Sequence, residues 1–332
     1  MHIYLSIIIP FYNRERFVKS SLDSIFSQGL SLEQFEVICV DDCSPTLDNY
    51  NALNNYTYEG IKPSNLVVVR HEVNKCQGGA RNTGISNAKG TWVIHLDSDD
   101  FFIKGSLSLL YEQLKTHEDL DILMYGHATK TSAKSVSHSI PQYQKIDGLS
   151  LVKKYHIPWV SWSYAFKRSF LVEKDLKFAE NVRVEDGDYV YRAVMNASAI
   201  AFAPISVVYY CIQDDSVSSL PINAQRIEWN VKMAVRFKKI AEDFMIQDKE
   251  AAMVCIKISS DILLGVLPSY LGILSPNDIL YLIKKYRIYE GNNIMLRFAY
   301  KCPRLFAICC LLIRPIYKQY RSLKGLPSLR LY

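Results

Sequence analysis

The sequence predicts an α/β protein, a mostly parallel sheet with flanking helices, followed by a helical C-terminal region. Three observations carry that prediction. Short, β-branched apolar runs alternate with amphipathic stretches through the first hundred residues, the pattern of strand–helix–strand units. Each run stops at a proline or a polar cluster. From about Pro221 the alternation ends and helical periodicity takes over. The expected organisation is therefore a domain over 1–220 and a helical region over 221–332.

The elements follow in order. Leu5 to Pro10 reads as a buried strand closed by proline. Glu15 to Gln28 places Val18, Leu22, Ile25 and Phe26 at helical spacing. Phe35 to Val40 is a second strand, Leu66 to Arg70 a third and Trp92 to Leu96 a fourth, with a helix over Gln77 to Asn87 between the last two. Gly105 to His117 reads as a helix, Ile122 to Tyr125 as a strand, Thr129 to Asp147 as a loop or edge hairpin, and Val207 to Tyr210 as a late strand. Helices are expected over Ala224 to Lys249, Ala251 to Leu267, Asn277 to Tyr286 and the final segment.

Composition bounds the class. Hydrophobic residues make up 49% and charged residues 22% of 332, as in ordinary globular proteins. The eight cysteines form no CxxC pair and no finger-like spacing, so reduced, partly buried thiols are expected. The first ten residues lack a basic n-region and a long apolar stretch, so no signal peptide is expected. No apolar run reaches the roughly 18 residues of a membrane span. The formal charge is +6, yet the eight cations after Glu290 face no acid, so residues 1–290 carry a net −2. The basic character belongs to the tail, which argues against a nucleic-acid-binding face.

Polar clusters sit directly after the strands. Tyr12-Asn13, Asp41-Asp42 and Asp97-Ser98-Asp99-Asp100 follow the first, second and fourth. In a parallel sheet, strand ends converge on one edge, where ligands bind. Three carboxylates in four residues repel one another unless a cation offsets them. Hard ions such as Mg²⁺ or Mn²⁺ take such oxygen ligands and bridge to substrate phosphates. The bland reading is an acidic turn or a helix cap. A carboxylate at Asp41 can accept a base N–H or ribose hydroxyls; it also fits a capping role. Gly78-Gly79-Ala80-Arg81 permits close backbone approach and offers a phosphate-pairing arginine, or else relieves a helix start. It is not GxGxxG and does not follow the first strand, which disfavours a dinucleotide-binding dehydrogenase. Glu185-Asp186-Gly187-Asp188 could supply a general base or simply open a helix.

As an ordered series these stretches resemble family 2 glycosyltransferases of the GT-A fold, a Rossmann-like architecture. The matching residues are Ser6 to Asn13, Val40 to Ser44, Asn74, Gly78 to Gly84, Gly90, Leu96 to Asp100 and Glu185-Asp186. The resemblance spans roughly residues 4–220. It implies that Pro10, Tyr12, Asn13, Asp41, Asp42, Arg81, Asp97 and Ser98 surround the nucleotide of a nucleotide-sugar, with Asp41 on the base (usually uracil) and Arg81 against the nucleotide. It implies Mn²⁺ or Mg²⁺ at Asp99 with help from Asp97. Asp186, beside Glu185, would be the general base of a single inverting displacement.

The chain also departs from the family. Asp-Asp-Gly-Ser-Thr-Asp is here Asp41-Asp42-Cys43-Ser44-Pro45-Thr46. Asp214-Asp215 stands where the family's closing loop often has a base. The processive Gln-x-x-Arg-Trp signature is missing, so one hexosyl or N-acetylhexosaminyl transfer per encounter is expected, in polysaccharide biosynthesis at the cell surface. The alternative is a catalytically inactive nucleotide-sugar-binding subunit, which would require damage at Asp99 or Asp186. Leu305 to Ile313 is an apolar stretch with basic flanks. A helix over 296–324 could lie on an anionic inner membrane face and meet a lipid-linked saccharide acceptor, making a cytoplasmic, peripheral enzyme. Otherwise it packs in a core or at a homodimer interface.

Overall fold

The computed structural model describes residues 3–129, 140–211, 224–269 and 301–302. Strands β1 (Leu5–Phe11), β2 (Phe35–Asp41), β3 (Leu66–Arg70) and β4 (Trp92–His95) alternate with helices α1 (Glu15–Phe26), α2 (Asp48–Asn54) and α3 (Cys76–Asn87). β5 (Phe101–Phe102), α4 (Ser106–Thr116), β6 (Ile122–Thr129), α5 (Gly148–Lys154), β7 (Tyr164–Lys167), α6 (Arg168–Glu173), α7 (Asp186–Asn196) and β8 (Ile200–Tyr210) follow. They form one eight-stranded sheet in the order β3-β2-β1-β4-β7-β6-β8-β5.

β1 to β4 are parallel, as their continuous apolar runs predict. β1, β2 and β4 are buried along their whole length. α1 buries Val18, Leu22, Ile25 and Phe26, the stripe that its spacing predicts. β7 runs antiparallel between β4 and β6. β8 is parallel to β6, and β5 closes the far edge antiparallel to β8. The order reverses direction at β1 and β4, so the crevice beyond their carboxyl ends is the expected ligand position.

The chain divides into two compact units, Met1–Ile212 and Gln213–Tyr332. The boundary expected near 220 lies outside the described residues, as do the expected helix over 277–286, the Asp214-Asp215 loop and the 303–324 part of the basic tail. In the second unit, α8 (Ala224–Phe244) packs on α9 (Lys249–Ser269), burying Ile227, Ala234, Phe237, Ala252 and Cys255. The Ser259 hydroxyl donates to the Ala234 carbonyl at 2.7 Å across that pair. No helix among the described residues is long and apolar enough to cross a membrane. Cys39, Cys43, Cys76, Cys211, Cys255 and Cys302 are free thiols.

Candidate active site

Sheet register builds the first wall of the site. Phe11 pairs with Asp41 and Asp41 with Arg70, so the ends of β1, β2 and β3 form one row. Beyond it, Tyr12 stands 44% exposed, and Asn13 adopts a left-handed φ of 52°. The Asn13 backbone N–H donates to Ser44 Oγ at 2.9 Å. Pro10 is buried within β1.

Asp41 is fully buried and its carboxylate is saturated from within. Oδ1 accepts from the Ser44 hydroxyl and, at 3.0 Å, from Asn49 Nδ2. Oδ2 pairs with the Arg70 guanidinium. The expected base-binding carboxylate thus offers no surface of its own. Asp42 is also buried and bonds His71 Nδ1 at 2.7 Å and the Lys75 backbone N–H at 2.9 Å. Burial raises its pKa despite those partners. His71 Nε2 reaches Thr83 Oγ1 at 2.8 Å, tying the loop after β2 to α3. Cys43 sits at φ 59°, the left-handed conformation that favours glycine, so the departure from the family's glycine leaves this turn strained.

The loop after β4 brings Asp97, Ser98, Asp99 and Asp100 to the same edge. Asp97 and Asp99 are partly exposed, whereas Ser98 and Asp100 are buried. Asp97 Oδ1 accepts from Gln77 Nε2 at 3.0 Å and Arg81 at 2.7 Å. Asp100 accepts the Cys211 backbone N–H at 2.7 Å. Its other carboxylate oxygen is buried with no hydrogen-bond partner. Burial, then the neighbouring Asp97, pushes its pKa well above the carboxylate range, which fits a protonated acid anchoring the end of β8.

Arg81 is the hub. It rises from α3, is wholly buried, and donates to three carboxylates: Asp97 at 2.7 Å, Glu185 at 2.7 Å and Asp186 at 2.9 Å. Its guanidinium also lies 5.2 Å from the centre of the Phe178 ring. The side chain expected against the nucleotide is thus committed to the acids of both loops. Glu185 is buried and precedes α7, while Asp186 opens that helix with 23% of its side chain exposed. Burial, then Asp186, raises Glu185 to about 7. Burial also raises Asp186, against the pull of Arg81. His95, one strand residue before the acidic loop, is buried against Phe178 and Tyr189, and burial, then Arg81, holds its pKa well down.

Gly78 and Gly84, on either side of Arg81 in the chain, serve packing. A Cβ on Gly78 would meet the Ala179 carbonyl oxygen at 2.3 Å and Glu185 Cγ at 3.1 Å. A Cβ on Gly84 would meet Ile8 at 2.3 Å. α3 is therefore pressed onto β1 on one side and onto the segment leading to α7 on the other. Sequence reasoning identified neither this contact nor Arg70, Asn49 and His71. For Arg70 the available signal was its place at the end of the third apolar run.

Among the described residues, no group of three or more His, Cys, Asp or Glu side chains could enclose a metal. Asp97 and Asp99 nevertheless supply partly exposed oxygen donors, which fits a hard ion held by one or two carboxylates plus substrate phosphates.

The chain belongs to Glycosyl transferase family 2, whose family model matches residues 6–174. It is similar to the poly(ribitol-phosphate) beta-glucosyltransferase of Bacillus spizizenii, with 31% identity over 213 residues, 64% of this chain and 32% of that protein. It is also similar to the poly(ribitol-phosphate) beta-N-acetylglucosaminyltransferase TarS of Staphylococcus aureus, with 27% identity over 62% of this chain and 35% of that one. The chain thus spans about a third of the length of these two relatives. The crystal structure of TarS 1–349 in complex with UDP-GlcNAc matches with a TM-score of 0.59 and 20% identity, covering 98% of this chain and 93% of that one. A mannosyltransferase from Pyrobaculum calidifontis in complex with GDP-Man and Mn²⁺ gives a TM-score of 0.52 at 17% identity, covering 94% and 87%. These likenesses establish the GT-A fold expected from the sequence.

Proposed function

We propose that this chain is a non-processive inverting glycosyltransferase. It moves one hexosyl or N-acetylhexosaminyl unit from a UDP-linked donor to a saccharide or lipid-linked saccharide acceptor in cell-surface polymer synthesis. Family membership and the relatives' names support the reaction class. The observation that carries the mechanism is the Arg81 hub. One buried guanidinium ties the donor-side acid Asp97 to Asp186.

Asp186 is the base. It is the partly exposed member of its pair, and a raised pKa suits a carboxylate that must take a proton near neutral pH. It accepts the acceptor hydroxyl's proton as that oxygen bonds to the anomeric carbon and the bond to the diphosphate breaks. Glu185, buried on Arg81, is a positioning residue. Asp99, with Asp97, would hold Mn²⁺ or Mg²⁺, which supplies Lewis-acid neutralisation of the leaving diphosphate. The Asp100 carboxyl, engaged with Cys211, stays outside that set.

The test is thermal shift of the full chain with UDP-, GDP- and dTDP-sugars, with and without Mn²⁺, followed by transfer assays on saccharide acceptors. A metal-dependent stabilisation by UDP-sugars supports the reading. No stabilisation by any nucleotide, with metal present, overturns it.

A further inference from the structure

We propose that Ser161 is a positioning residue for the base, its hydroxyl fixing the plane of the Asp186 carboxylate. The inference rests on the reading of Asp186 as that base. Asp186 Oδ1 accepts from Arg81 at 2.9 Å. That bond alone leaves the carboxylate free to turn about its Cβ–Cγ axis. A base must present one oxygen to the acceptor hydroxyl in a fixed direction. The side chain is 23% exposed, so an oxygen can meet an acceptor. A second contact is needed to set its plane.

Ser161 stands where such a contact can form. It opens the 3₁₀ turn Ser161–Ser163, just ahead of β7. That turn packs against α7, the helix that Asp186 begins. Aromatic rings clamp the segment on both sides. Trp159 meets Tyr191 of α7 edge-on, with ring centres 6.3 Å apart, and Trp162 stacks on Tyr210 of β8 at 5.7 Å. The Tyr164 hydroxyl donates to the Pro158 carbonyl at 2.7 Å, closing the segment on itself. Ser161 is therefore held on a rigid support, as a positioning group requires.

Ser161 is fully buried, and its hydroxyl makes no well-formed hydrogen bond among the described residues. An unpaired buried hydroxyl costs stability that alanine would not. The group it acts on is Asp186. Burial raises the Asp186 pKa, and the Ser161 hydroxyl, like Arg81, pulls it back down. Catalytic hydrogen bonds are often long or poorly aligned before the reacting complex forms, and tighten within it. A hydroxyl proton rotates to suit its acceptor, so Ser161 can donate to Asp186 without moving the turn.

The experiment compares Ser161→Ala with Ser163→Ala in the full chain. Ser163 lies in the same turn and is likewise buried without a hydrogen-bond partner among the described residues. It therefore reports what the loss of a hydroxyl does to the turn itself. Transfer from a UDP-sugar is measured in Mn²⁺, and UDP affinity by calorimetry. Ser161→Ala should lower kcat about tenfold, the scale of one hydrogen bond to a charged group, with UDP affinity and acceptor KM unchanged. Ser163→Ala should keep the wild-type kcat. In an Asp186→Asn background, Ser161→Ala should cost less than about twofold, because residues that act as a unit do not add. The proposal is overturned if Ser161→Ala keeps the wild-type kcat, if Ser163→Ala loses as much, if the loss falls on UDP affinity, or if it persists in full beside Asp186→Asn. A wild-type chain that transfers from no nucleotide-sugar overturns the underlying site reading instead, and a wild-type rate for Asp186→Asn overturns the assignment of the base.

Discussion

Glu185 and Asp186 are neighbours in sequence, yet burial divides them. Both touch Arg81, but only Asp186 keeps a quarter of its side chain in the open. Asp186→Asn should therefore lower the transfer rate by at least about a hundredfold, the scale of a lost general base, while donor affinity measured by calorimetry stays within a few-fold. A comparable loss of donor affinity would place Asp186 on the donor side. Asp100 gives a second contrast. It is buried and its carboxyl accepts the Cys211 N–H at 2.7 Å, so it anchors the end of β8, and Asp100→Asn should leave the metal dependence of activity almost unchanged. Asp99→Asn should raise the Mn²⁺ concentration for half-maximal rate by tenfold or more. Equal effects of the two substitutions would refute this division.

At the scale of elements, α3 decides the geometry. Its first turn lies so close to residues 178–185 that a Cβ at Gly78 collides with a backbone carbonyl. At Gly79 a Cβ would meet Lys75 Cβ at 2.3 Å, an atom that the backbone at the start of the helix holds in place. Gly78→Ala should cost about 1–3 kcal/mol, as overpacking does, and should lower transfer by displacing Glu185 and Asp186. Gly79→Ala should also lower the melting temperature, by displacing Lys75 at the start of α3, but its nearest contacts do not include Glu185, so it should lower transfer less than Gly78→Ala does. The same element shows what the sequence could reveal. β1, β2 and β4 were legible because their apolar runs are buried along their whole length, β3 because its run is continuous though only half-buried, and the acids after β2 and β4 follow from chain direction alone. β7 was not legible, because Tyr164-Ala165-Phe166-Lys167 is four residues long and its place between β4 and β6 depends on tertiary pairing. α2 and α5 are seven residues each, too short for periodicity to register. Arg81 was identified as a site residue, but its partners lie up to 105 positions away in sequence, and no spacing rule reports such a contact.

Across the molecule, buried carboxyls leave a signature in the pH dependence of stability. Asp42, Asp100, Glu185 and Asp186 are all raised by burial. A carboxyl whose folded pKa exceeds its unfolded value stabilises most below the unfolded value, and that contribution is lost as pH rises through the folded one. For Glu185 the window runs from 4.5 to about 7. His95 opposes this trend. Its depressed pKa costs stability as pH falls below about 6.5, so the raw wild-type profile mixes two slopes. A difference measurement separates them. Glu185→Gln mimics the protonated acid at every pH and leaves His95 in place. Near pH 5 the variant and the wild type should melt at similar temperatures. As pH rises to 8 the wild type must ionise a buried acid and the variant need not, so the variant's melting temperature should climb relative to the wild type across that window. A difference that stays flat from pH 5 to 8 would mean that Arg81 keeps Glu185 ionised throughout, and the base pair would then carry its full negative charge in the resting enzyme.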